Sequence, residues 1–122
     1  MDILIVDDDE AVRHTFSRAL VRAGYMVRAV ENGLAAFAEL QQHHYQAIVC
    51  DVHMPFLEGK SLYGEILRDY PQMAQRVVFA TGWAEQDEVG AFLKRTGRPV
   101  LRKPVDLNNL VSTVRGVADR GG

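Results

Sequence analysis

Five short apolar runs, each followed by a stretch with helical periodicity, constrain this chain more than any other feature. The runs are Ile3 to Val6, Met26 to Val30, Ala47 to Cys50, Val77 to Ala80, and Val100 to Leu101 behind Pro99. Runs this short and this apolar suit strands covered by helices on both faces of a parallel sheet. The intervening stretches carry apolar stripes at helical spacing. The first places Val12, Phe16, Ala19, Leu20 and Ala23 on one side and stops at Gly24; the second follows Asn32 and Gly33 and buries Ala36, Phe37 and Leu40. The third carries Leu62, Ile66, Leu67 and Tyr70 and ends before Pro71. A short fourth offers Val89, Phe92 and Leu93 and breaks at Gly97. The fifth has Asp106 as its N-cap and buries Leu107, Leu110, Val111, Val114 and Val117.

Five strands joined by helices require right-handed crossovers and an open, doubly wound α/β sheet with helices on both faces. The 122 residues fit one such domain, spanning 1–122. Sixteen acidic against fourteen basic side chains, a net charge of −2, give no electrostatic case for a nucleic-acid or anionic-membrane binder. Cys50 is a single cysteine and the four histidines have no thiolate partners, so neither a disulfide nor a zinc site is expected, and the redox reading is a reducing cytoplasm. No apolar run approaches the roughly 20 residues of a membrane helix, and the opening strand followed by acids reads as neither a signal peptide nor a transit peptide.

In sheets of this kind ligands bind beyond the carboxyl ends of the strands. Asp7, Asp8, Asp9 and Glu10 follow the first run, Asp51 the third, Thr81 the fourth, and Lys103 with Pro104 the fifth. Three carboxylates, a hydroxyl and an ammonium are thus expected on one edge. Clustered carboxylates call for a cation, and hard oxygen donors favour Mg²⁺. A carboxylate can also accept a phosphoryl group as an acyl phosphate, with Lys103 and Thr81 stabilising the transferred charge. Asp9 and Glu10 read instead as a helix cap and a dipole partner. Cys50, inside an apolar strand, reads as packing. Gly59-Lys60-Ser61 is not a phosphate-binding loop, because the glycine such a loop needs five residues earlier is Met54.

On these residues the chain resembles the receiver domains of bacterial two-component response regulators, including those attached to hybrid histidine kinases. The motifs are Ile3-Leu4-Ile5-Val6-Asp7-Asp8-Asp9, Ile48-Val49-Cys50-Asp51-Val52-His53-Met54-Pro55 with Gly59, Ala80-Thr81-Gly82, and Arg102-Lys103-Pro104. The resemblance implies a flavodoxin-like strand order 2-1-3-4-5 and Asp51 as phosphoacceptor. It implies Asp7, Asp8, Asp51 and the backbone carbonyl of His53 as the Mg²⁺ set, with Asp8 binding directly and Asp7 mostly through water. It further implies Thr81 and Lys103 on the phosphoryl oxygens and a cis Lys103-Pro104 peptide. The implied phosphodonor is a histidine kinase or a histidine phosphotransfer protein, and the implied self-contact is a homodimer through the fourth helix, fifth strand and fifth helix.

Three positions depart from or individualise that pattern. The family's switch aromatic falls at Val100, so an inward-swinging ring is absent there. The two positions flanking the phosphoryl group are His53, read as solvated, and Trp83, read as a barrier to attacking water or as a partner-binding aromatic. Arg13, Arg18 and Arg22 on the first helix read as a partner surface or as a solvated face. Two competing functions stay open: a phosphatase of the haloacid-dehalogenase type with Asp7 as nucleophile, whose pattern fails at Ala11 and gives Asp51 no role, and an interaction module that is never phosphorylated. After Asp106 only one helix and Gly121-Gly122 remain, so an output domain is not expected within these residues; a free single-domain regulator and a receiver from a longer hybrid kinase or regulator both stay open, the bounds leaning to the latter.

Overall fold

A computed structural model of the chain describes residues 2–52, 59–82 and 87–121. Strands and helices alternate as the apolar runs predict: β1 (Asp2–Val6), α1 (Glu10–Arg22), β2 (Met26–Val30), α2 (Gly33–Gln42), β3 (Ala47–Cys50), α3 (Gly59–Asp69), α4 (Pro71–Ala74), β4 (Val77–Thr81), α5 (Asp87–Thr96), β5 (Val100–Arg102) and α6 (Leu107–Gly121). All four pairings are parallel and the order is β2-β1-β3-β4-β5. The expected doubly wound sheet is therefore present. Among the described residues no helix is long and apolar enough to cross a membrane.

The period-2 alternation of a strand divides the core in two. Ile3, Ile5, Ala47, Val49, Val78 and Ala80 pack with Phe16, Leu20, Leu110 and Val114 of α1 and α6. Leu4, Val6, Ile48, Cys50, Val77 and Phe79 pack with Leu40, Ile66 and Phe92 of α2, α3 and α5. Apart from Asp2 at the start of β1, these central strands are buried throughout, which is why their sequences show no polar alternation.

β2 departs from that expectation. It has only β1 beside it, Met26 is 69% exposed, and Arg28 and Ala29 are exposed as well. Arg28, a charge within the run, reaches Glu39 of α2 at 3.4 Å, in keeping with an edge strand that water can reach. Leu67 also differs, being 52% exposed: successive helical residues point about 100° apart, so a stripe that buries Leu62 and Ile66 turns Leu67 off the core. Leu107, at the first turn of α6, is likewise exposed. The one-turn helix α4 is not visible as periodicity, because four residues cannot display a period. Pro71 opens it at a position where a missing N–H costs nothing.

Helix ends follow their sequence signals. Asp9 accepts from the N–H groups of Ala11 and Val12, Asn32 from that of Ala35, and Asp106 from those of Asn108 and Asn109. At the end of α1, Gly24 donates to the Val21 carbonyl and Tyr25 to that of Leu20, the paired bonds of a Schellman stop, with Gly24 at φ 102°. The space around Gly24 is open, so a side chain there meets backbone strain and no clash. Gly64, within α3, is equally open but helical. Opposite effects are expected: Gly24→Ala destabilises by about 1–2 kcal/mol, whereas Gly64→Ala stabilises by up to ~1 kcal/mol. Urea unfolding of the two variants checks the pair, and a stabilising Gly24→Ala would contradict the assigned backbone.

Candidate functional site

Asp7 and Asp51 stand one residue past Val6 and Cys50, the last paired positions of β1 and β3. They continue the alternation of Ile3, Ile5 and of Ala47, Val49, so their side chains leave adjacent strands on the same side. The backbone fixes both: Asp51 N–H donates to the Val6 carbonyl at 2.9 Å and Asp7 N–H to the Val30 carbonyl at 3.1 Å. Both carboxylates are buried, at 2% exposure for Asp7 and 6% for Asp51, while Asp8 faces solvent.

Lys103 joins them. Its Nζ donates to Asp7 Oδ2 at 2.7 Å and to Asp51 Oδ2 at 3.2 Å. Its own N–H donates to the Thr81 carbonyl at 3.0 Å, which ties the start of the lysine to the end of β4, and the Lys103-Pro104 peptide is cis. Thr81 is fully buried at that strand end. Burial works against a charge on Lys103, but the hydrogen bond to Asp7 and the fields of Asp51 and Asp7 outweigh it and hold the ammonium above the usual lysine value of 10.5.

Asp7 is held at every polar atom. Its Oδ1 accepts from the Asp9 N–H at 3.0 Å, its Oδ2 takes the lysine, and its carbonyl accepts from Arg13 Nη1 at 2.8 Å. Arg13 therefore belongs to the site and not to a free basic face with Arg18 and Arg22. Its signal in the sequence is positional: one turn inside a helix capped by Asp9, it lies over the strand end. The Cys50 thiol, fully buried beside Asp51 and Asp7, is pushed far above its usual range by burial first and by those two carboxylates next, so it is a protonated packing group.

Asp7, Asp8 and Asp51 each offer an oxygen, all within 4.8 Å of one another. Three carboxylates against one ammonium leave a formal charge of −2 in the cluster, which a divalent cation balances. The donors are all hard oxygens, which suit Mg²⁺ and not a thiolate-seeking metal. The residues present thus fit such an ion. Val100 lies opposite Phe79 in the β4–β5 register, half-buried against the α3 and α5 side of the core. His53 and Trp83 lie outside the described residues.

Comparisons agree with the geometry. A family model described as response regulator receiver domain matches residues 3–115. The chain is 30% identical over 112 residues to the response regulator receiver protein CpdR of Brucella abortus, covering 92% of each chain. It is 29% identical over 112 residues to the response regulator protein FleR of Pseudomonas aeruginosa, covering 92% of this chain and 23% of that one. It spans about a quarter of the length of several other curated relatives as well. The crystal structure of a CheY-like response regulator receiver domain protein from Methanospirillum hungatei superposes with a TM-score of 0.88 at 26% identity, over 98% of this chain and 94% of that one.

The lysine bridge sets a pH dependence. A pKa raised on folding contributes stability that is complete below the unfolded value and is lost as pH rises through the folded one. Lys103→Met is expected to cost about 2 kcal/mol at pH 8, less than the roughly 3–5 kcal/mol of a fully buried pair because the lysine is partly solvated. The gap between wild type and variant should narrow above pH 10.5. Chemical denaturation across pH 8 to 12 measures it, and a gap that stays constant or widens would contradict the bridge.

Proposed function

The chain belongs to the response regulator receiver domain family, the phosphoacceptor switches of two-component systems, and from that premise we propose that Asp51 is its phosphoacceptor. The observation that carries the reading is Lys103 Nζ lying between Asp7 and Asp51. An Asp51 oxygen attacks the phosphorus of a phosphohistidine on a kinase or phosphotransfer protein. A P–O bond forms as the P–N bond breaks, and the electron pair of the broken bond returns to the imidazole nitrogen. Asp7, Asp8 and Asp51, with the His53 backbone carbonyl that the family resemblance implies, would hold Mg²⁺, which would supply charge neutralisation on the phosphoryl oxygens. Lys103 supplies a fixed cation beside the acceptor, and Thr81 a hydroxyl at the adjacent strand end.

The same geometry argues against Asp7 as a nucleophile. Both of its oxygens already accept hydrogen bonds, one from a backbone N–H and one from an ammonium, which lowers their readiness to attack. Asp7 is a support for the lysine and a carboxylate for the ion. Water attack on the acyl phosphate returns inorganic phosphate and free Asp51, and Trp83, two residues past Thr81, restricts that water.

Incubation with acetyl phosphate and Mg²⁺ followed by peptide mapping is expected to place one phosphoryl group on Asp51, with none in Asp51→Asn and at least a tenfold slower appearance in Asp8→Asn. An adduct on Asp7, or turnover of phosphomonoesters, would overturn the assignment in favour of a phosphatase; no adduct at all would favour a non-phosphorylated interaction module. In the same assay the adduct should decay faster in Trp83→Ala, and decay at the same or a lower rate removes the barrier role.

A further inference from the structure

The β1–β2 ladder ends at Asp7 with one group left over. The Asp7 N–H donates to the Val30 carbonyl at 3.1 Å, but β2 stops at Val30 and Asn32 is already the cap of α2. In a strand the N–H and C=O of one residue face the same neighbour, so the Asp7 carbonyl looks past the end of β2. Among the described residues no backbone N–H reaches it. Arg13 takes the place of the missing strand: from one turn inside α1, its Nη1 donates to that oxygen at 2.8 Å. The Arg13 N–H also bonds the Asp9 carbonyl at 3.0 Å, so a single residue is tied to both ends of the turn that carries Asp8.

The carbonyl that Arg13 holds belongs to the peptide joining Asp7 to Asp8, two of the three acids in the cation cluster. That unit is planar, so holding its oxygen sets the orientation from which the Asp8 side chain departs. The other two carboxylates are fixed by direct bonds: Asp7 by the Asp9 N–H and Lys103, Asp51 by Lys103. Asp8 differs. It is exposed, and among the described residues its carboxylate accepts no hydrogen bond, so its aim depends on its backbone. Arg13 is not a counter-charge for the cluster either. Among the described residues it forms no ion pair, whereas Lys103 pairs with both Asp7 and Asp51. Its half-buried guanidinium serves the backbone, unlike those of Arg18 and Arg22, which are exposed on the same helix.

We propose that Arg13 is a positioning residue of the cation site: by holding the Asp7–Asp8 peptide, it aims the Asp8 carboxylate at an ion shared with Asp7 and Asp51. The inference rests on the reading of that cluster as a Mg²⁺ site. Removing Arg13 has two opposite consequences for such an ion. Losing a nearby cation strengthens binding by Coulomb's law, whereas losing the orientation of a ligand weakens it. The sign of the change therefore separates charge from position.

Calorimetric titration with Mg²⁺ alone is the test. Arg13→Met should bind the ion about tenfold more weakly, the lower end of what loss of a group supporting a metal ligand costs. Arg13→Lys, which keeps a donor on a long stem, should bind close to wild type, as should the control Arg18→Met. Acetyl phosphate labelling of Asp51 supplies a second readout: the Mg²⁺ concentration giving half the maximal rate should rise by the same factor in Arg13→Met, with the rate at saturating Mg²⁺ unchanged. Urea unfolding without Mg²⁺ verifies that the variant is folded, and Arg13→Gln, read in the same way, replaces it otherwise. Equal or tighter binding in Arg13→Met overturns the proposal while leaving the Mg²⁺ site in place, and so does an Arg13→Lys protein as weak as Arg13→Met. A wild type that binds no Mg²⁺ overturns the proposal together with the reading of the cluster.

Discussion

The bridge from Lys103 Nζ to Asp7 and Asp51 is the interaction on which the rest of the structure converges. It requires β1 and β3 to be neighbours, so that two carboxylates leave adjacent strand ends on one side. It also requires β5 to deliver a cation across β4. Strands lie about 4.8 Å apart, so the lysine begins roughly 10 Å from the β3 carboxylate it serves. The hydrogen bond from the Lys103 N–H to the Thr81 carbonyl sets the origin of that reach. The strand order, the buried central strands and the caps of α1 and α6 all fix the positions of these three side chains.

The ammonium offsets only part of the charge it touches. Two buried carboxylates with Asp8 beside them exceed one lysine, so the strand edge is rigid in geometry and unsatisfied in charge. Such an edge suits a divalent ion and a phosphoryl group, which bring opposite charges to the same place. A net charge near zero over the whole chain conceals this arrangement, because the acids gathered at the strand ends are balanced elsewhere by arginines, three of which line a groove between α1 and α6.

Much of this was legible in the sequence because burial on both faces leaves an unmistakable run, and because chemistry in a parallel sheet sits where such runs end. Asp7, Asp51, Thr81 and Lys103 are all the first or last residues at those ends, and the capping roles of Asp9 and Asp106 follow from residue type and position. What was not legible depends on neighbours. β2 reads as covered from its apolar run alone, whereas the implied order 2-1-3-4-5 puts it at the edge, where Met26 and Arg28 meet water. Leu67 differs from Ile66 by one helical step, which periodicity over a short segment does not resolve. Arg13 looks like a member of a basic face with Arg18 and Arg22, yet the turn of α1 sends its guanidinium to the Asp7 carbonyl. Arg115 lies almost a full chain away from Arg18, and only tertiary packing joins them into one groove.

The central claim is that the Asp7, Asp8 and Asp51 cluster, braced by Lys103, is completed by one divalent cation. Calorimetric titration with Mg²⁺ tests it most directly. One ion per chain is expected in the wild type, with binding weakened at least tenfold in Asp8→Asn, which leaves the lysine bridge in place. Binding that is absent from the wild type, or unchanged in Asp8→Asn, would contradict the account.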